Sequence, residues 1–135
     1  MKMDLKEIKR EELADRIFHI PDIQEFSSEQ ATKKIFFETD FLAGAVWTML
    51  PGQELPIHSH ASADDIWIVI AGEAEYYNEL DEKVRIHKGD VVLARPKEKH
   101  GMKNVSDELF IMLGIAGPIP IGYICHKDEQ CAEKL

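Results

Sequence analysis

From residue 31 onward, apolar positions fall in short runs, many alternating with polar ones, and turn-forming residues break them every 8–12 residues or so. This is the pattern of an all-β sandwich or barrel. The runs predict strands over residues 31–39, 42–50, 64–71, 73–80, 83–87, 91–94, 100–104 and 109–115. Between them stand Pro51-Gly52, Ala71-Gly72, Lys88-Gly89-Asp90 and Ser106-Asp107, which favour turn conformations that a strand interior resists. Upstream, Leu5, Ile8, Leu13 and Ile17 recur at partly helical spacing among charges, so a short helix is predicted within residues 4–18. Residues 119–124 predict a last edge strand, where proline is tolerated, and 126–135 a helical or frayed polar tail. No linker or fixed-period repeat divides the chain. The expectation is one domain, with 1–30 as an N-terminal extension, 31–125 as the barrel and 126–135 as the C-terminal tail.

Composition narrows the class without changing it. With 135 residues, 44% hydrophobic and 30% charged, the chain is long enough to bury a core without covalent staples. No apolar run approaches the roughly 18 residues of a membrane-spanning helix. The 16 Lys and Arg against 25 Asp and Glu give a net charge of -9, scattered along the chain. Such a surface repels phosphate backbones and anionic lipid, so neither nucleic acid nor membrane is an expected partner. The opening residues are charged and lack the apolar stretch of a secretory leader, which points to the cytoplasm. In that reducing compartment Cys125 and Cys131 are expected as free thiols.

Candidate chemistry lies in the histidines. His58 and His60, two apart, project to one side of an extended chain, and His100 follows about forty residues later. Asp65 opens the apolar run Ile66-Trp67-Ile68-Val69-Ile70 and shares strand parity with Trp67 and Val69, so its carboxylate needs a partner. Neutral imidazoles with one carboxylate form a mixed N/O set suited to Fe, Mn, Ni or Zn, with one or two positions left open for chemistry. Two surface histidines in a loop would read the same way, so the spacing of His58 and His60 leaves both possibilities open.

Residues 52–72 read Gly52, five residues, His58, one, His60, four, Asp65, six, Gly72; residues 89–104 read Gly89, ten residues, His100, three, Asn104. In this order and spacing they resemble the two motifs of the cupin superfamily, with a short inter-motif stretch between Gly72 and Gly89. The chain departs from the pattern in having Asp65 where cupins usually carry Glu, in a proline displaced to Pro96, and in Lys97 where the second motif has a glycine. The resemblance implies a cupin-type double-stranded β-helix, a jelly-roll-like barrel. It also implies one divalent metal held by His58, His60, His100 and Asp65, and frequent dimerisation through N-terminal strands, so a homodimer is expected. Asp64 is the alternative carboxylate, but it has the opposite parity and fits the distance to Gly72 less well.

Other residues carry paired readings. Met102 shares parity with His100 and either lines the pocket or fills core; Asn104 is expected to secure a turn. Trp47, Met49, Phe36, Phe37 and Tyr76 could shape a pocket or pack the core. Arg95 and Lys97 could hold a carboxylate substrate or form a solvated turn. His19, His87 and His126 receive no role. The residues Ile66, Ile68 and Ile70, opposite Asp65, need cover from a strand, the N-terminal segment or a second subunit. The functional expectation is a metal-binding barrel acting on a small organic substrate, as a dioxygenase or isomerase type of enzyme or as a non-catalytic binding or sensing module.

Overall fold

The computed structural model describes residues 3–126. Among them ten strands form two antiparallel five-stranded sheets. The first sheet has the order β1 (Thr32–Glu38), β2 (Ala43–Met49), β9 (Phe110–Gly117), β4 (Asp64–Ala71), β7 (Val91–Ala94). The second has the order β10 (Ile124–Cys125), β3 (Glu54–Ser59), β8 (His100–Lys103), β5 (Glu73–Tyr77), β6 (Lys83–His87). The two sheets enclose the double-sheet β-barrel that the alternating pattern and the two motifs predict.

Period-two alternation decides what lies between the sheets. On β4, Asp65, Trp67 and Val69 are buried while Ile66, Ile68 and Ile70 are only half-buried on the other side. Their inward neighbours Trp47, Met49, Leu55, Met102, Phe110 and Met112 complete the core. Burying each large side chain contributes about 1.5–3 kcal/mol. Turns follow the punctuation: Gly72, with φ of +81, joins β4 to β5, and a Cβ there would stand 2.2 Å from the Leu109 carbonyl oxygen. Asn104 is fully buried in the turn after β8. Its amide donates to the carbonyls of Met49 and Glu108, and its side-chain oxygen accepts from the Ser106 N–H and hydroxyl. The turn-securing role expected from sequence is the observed one.

Four local expectations change. A strand not predicted, β3, carries His58. Pro56 masks it, but a register shift between Leu55 and His58 takes up the proline as a bulge and leaves both Leu55 and His58 facing the interior. The edge strand predicted over 119–124 shrinks to Ile124–Cys125, because Pro118 and Pro120 cannot donate to a ladder. In place of the helix over 4–18 there is a single 3₁₀ turn, Arg10–Leu13, and a one-turn helix, Ile20–Ile23, follows. The apolar positions upstream are too sparse and too exposed to hold a longer one: Leu5 is 81% exposed. Cys125, expected as a thiol, is disulfide-bonded; Cys131 and the rest of the predicted polar tail after His126 lie outside the described residues. No helix among the described residues is long and apolar enough to cross a membrane.

Candidate metal centre

The side chains of His58, His60, Asp65 and His100 meet between the sheets, with one ligand-type atom from each lying within 4.8 Å of the others, and all four are buried. Each arrives by strand geometry. His58 and His100 are register partners across β3 and β8, which sets their ring centroids 4.2 Å apart. His60 follows the end of β3 on the same side as His58, and Asp65 reaches in from β4 of the facing sheet. Asp64, the alternative carboxylate, is exposed and points away. Asp65 is thus the carboxylate brought to the three rings.

Hydrogen bonds fix which ring nitrogen faces the centre. The Nδ1 of His58 meets the Pro56 carbonyl at 2.8 Å, that of His100 the Glu98 carbonyl at 3.0 Å, and that of His60 the Gly122 carbonyl at 2.7 Å. A carbonyl oxygen only accepts, so each Nδ1 carries the proton and donates it. In the neutral ring Nε2 is then a bare lone pair. Yet the Nε2 atoms of His60 and His100 stand 3.2 and 3.1 Å from one Asp65 carboxylate oxygen, acceptor against acceptor. Only a cation resolves that arrangement, either protons on the rings or a metal ion between the groups. Ligands at right angles on an ion about 2.1 Å away are themselves about 3 Å apart, so the donor set and its spacing suit a metal. Carbonyls holding the outer nitrogens are the usual means of orienting metal-binding imidazoles.

The electrostatics suit the same role. Burial, with the charge of His100, pushes His58 down to about 3, so its ring is neutral at physiological pH. For Asp65, burial alone would raise the carboxyl, but with protons rather than a metal ion on the facing rings, hydrogen bonds and charge from His100 and His60 outweigh it and hold the group below the usual carboxylate range. Tyr123 stacks on His58 at 4.7 Å with 17° between planes, and Trp67 meets His100 edge-on at 5.0 Å.

A cavity enclosing about 520 Å³, counting its open mouth, leads to the cluster and is lined by His58, His60 and Asp65. It exists because the inner face of the first sheet carries small residues here. Ala116 and Ala43 continue the row of Asp65, and Gly114 and Ala45 the row of Trp67. Trp47 and Trp67 wall it, while Ile121 and Tyr123, from the segment after β9, also line it. Of the residues offered from sequence as pocket formers, Trp47 is placed there. Met102 and Met49 are fully buried core instead, Phe36 and Phe37 pack on Phe18, and Tyr76 meets Trp67 edge-on at 5.9 Å outside the lining. Arg95 and Lys97 form an exposed turn away from the cavity, as the plainer reading had it. Tyr123, Ile121 and Lys33 were missed. Strand parity with Trp47 across β1 and β2 could have found Lys33; nothing in the sequence marks the other two.

Residues 45–115 match the family described as the cupin domain, just over half of the chain. The chain belongs to the cupin family. Among solved structures, this cupin is similar to an uncharacterized conserved protein with a double-stranded β-helix domain from Klebsiella pneumoniae. The two share 32% identity and a TM-score of 0.78, with 83% of this chain and 98% of that one covered. It is also similar to an RmlC-like cupin protein from Desulfovibrio desulfuricans, at 26% identity and TM-score 0.64 over 70% and 89% of the two chains. A DMSP lyase from Ruegeria pomeroyi shares the fold at 24% identity and TM-score 0.65, over 75% of this chain and 54% of that one. No curated protein matches the chain.

Proposed function

We propose that this cupin is a metal-dependent enzyme for a small organic substrate, with His58, His60, His100 and Asp65 holding one divalent ion of Fe, Mn, Ni or Zn. One observation carries the reading: three imidazoles, each committed at Nδ1 to a backbone carbonyl, turn their Nε2 atoms and one carboxylate to a single point beside a cavity. When bound, the ion supplies Lewis acidity toward an oxygen-bearing substrate or, as iron, reactivity with dioxygen. Chain residues do the remaining work. Trp47, Trp67, Leu55 and Ile121 line the cavity with apolar surface, and the Gly122 carbonyl orients His60. The buried Tyr123 hydroxyl has no hydrogen-bond partner among the described residues, which supports a role for this cavity-lining residue as a donor to a bound oxygen. Burial raises its phenol above the ordinary value and keeps the proton in place at neutral pH. Catalysis by a lyase on the same fold supports the reading by architecture only.

A second reading, a non-catalytic metal- or metabolite-binding module, has its own support: among the described residues the cavity wall offers no carboxylate or imidazole besides the cluster. Chelated protein reloaded with each of the four metals and screened against small oxygen-bearing compounds separates the two. Metal-dependent turnover supports the enzyme, saturable binding without turnover supports the module, and neither response contradicts both. We also place the protein in the cytoplasm as a single domain. In that reading, residues 1–30 and 126–135 are appended to the barrel of 31–125, and two copies associate as a homodimer.

A further inference from the structure

The inner face of the first sheet changes size in step on two neighbouring strands. Along β9 it runs Phe110, Met112, Gly114, Ala116, and the register partners on β2 run Met49, Trp47, Ala45, Ala43. Large side chains thus face large ones for two levels, and small ones face small for the next two. A close-packed interior fills such a step with side chains, because a gap forfeits contacts on every wall; here the four small residues line the cavity instead. Gly114 shows this most directly. A Cβ there would stand 3.5 Å from the Trp47 ring and 3.6 Å from that of Trp67, ordinary contact distances, so an alanine would fit and glycine gives that room to the cavity. The small levels also have a direction. Register carries one of them from Trp67 on β4 through Gly114 and Ala45 to Ile35 on β1, uncharged throughout. Exposure rises along it, from 2% at Trp67 and 6% at Ala45 to 46% at Ile35. With neighbouring strands about 4.8 Å apart, the path from β4 across β9 and β2 to β1 is a lane of about 14 Å, closed beside the metal cluster and open at the edge strand. Lys33 lies one level away, paired with Trp47, and holds its ammonium over that ring.

Resting on the metal reading above, we propose that the cavity selects a straight-chain aliphatic carboxylate, its head at the metal centre and its chain laid outward along the lane over Gly114 and Ala45. Three neutral imidazoles and one carboxylate leave a divalent ion with one uncompensated positive charge, which suits an anionic head. The second oxygen of that head can accept from the Tyr123 hydroxyl. Beyond the head the walls are hydrocarbon and indole, so each methylene placed there leaves water for apolar surface. A branched or ring-shaped body would meet Trp47 and Trp67 where both converge on Gly114, so the lane favours a linear one.

The test titrates butanoate, hexanoate and octanoate, with cyclohexanecarboxylate as the bulky control, into metal-loaded protein by calorimetry, after metal content has been measured. Affinity in the parent is expected to rise with chain length, roughly tenfold or more from butanoate to octanoate, and cyclohexanecarboxylate to bind more weakly than hexanoate. Gly114→Ala, which narrows the lane between the two indoles, is expected to reduce the gain with length, and Ala45→Leu, which fills the lane, to abolish it. Ala45→Val serves in place of Ala45→Leu should that variant fail to melt cooperatively, since a β-branched residue suits a strand. A metal-loaded parent whose affinity does not rise with chain length, a rise that survives unchanged in the Ala45 variant, or cyclohexanecarboxylate binding as tightly as hexanoate overturns the proposal and leaves the metal reading standing. A parent that takes up no metal removes the reading and the proposal together, and the elemental measurement reveals this before any ligand is added.

Discussion

At the scale of single residues, the centre is governed by protons that are placed and protons that are excluded. His58 is neutral in the fold, its value lowered to about 3 from an ordinary 6.5 by burial and by the charge of His100, whereas the unfolded chain takes up that proton near 6.5. The stability that depends on His58 is complete above 6.5 and is lost as the pH falls toward 3, because the unfolded state then binds more protons. Asp65 acts in the same direction lower down: its folded value lies below the ordinary 3.8, so its contribution persists to that point and fades beyond it. Thermal melts of chelator-treated protein are therefore expected to fall between pH 6.5 and 4, and to fall less steeply for His58→Gln, whose side chain does not titrate. Identical pH slopes for the two proteins would contradict the assignment. The ligand-type residues themselves were legible in the sequence, since parity and motif spacing mark them. Tyr123 was not, because it comes from an irregular segment held by Pro118 and Pro120, where no periodicity operates.

At the scale of elements, the turn between β7 and β8 explains a departure from the family motif. Lys97 stands where cupins have a glycine, and its φ is +71, the left-handed conformation that glycine adopts without cost. Its N–H still donates to the His60 carbonyl at 2.7 Å, so the turn helps hold the residue that follows β3. A side chain in that conformation costs about 1–2 kcal/mol, while glycine gives back about 0.5–1 kcal/mol through the freedom of the unfolded chain. Lys97→Gly is expected to stabilise the protein by roughly 0.5–1 kcal/mol, measured as a higher midpoint in chemical denaturation with metal content unchanged. A lower midpoint would mean that the lysine side chain contributes something the backbone does not explain. Most strands were readable because alternation and turn residues agree. The exception, β3, shows the limit: a proline at a bulge breaks the alternation on which the reading depends, and only the pairing with β8 and β10 restores a strand.

At the scale of the whole molecule, the outer face of the first sheet divides in two. Over β1 and β2 it is covered by the N-terminal segment. There Phe18 packs on Phe36 and Phe37, and the Thr48 hydroxyl donates to the Glu25 carbonyl. Across β4, β7 and β9 the same face presents Ile66, Ile68, Leu113 and Ile115 half-buried, beside Val91 and Leu93 at 63% and 48% exposure. A continuous apolar face of this kind calls for a partner. Sedimentation is expected to give a dimer, and Ile68→Lys to shift it toward monomer without loss of metal; a monomeric parent at micromolar concentration would contradict the homodimer. The sequence identified the second apolar face but not its cover, since three coverings satisfy the same pattern. The central claim is that His58, His60, His100 and Asp65 form one metal centre, and elemental analysis of untagged protein purified without chelator tests it most directly. About one first-row metal ion per chain in the parent, and little in a cooperatively melting His60→Ala, is the predicted result. Metal-free parent protein that stays empty after exposure to Fe, Mn, Ni and Zn would contradict it.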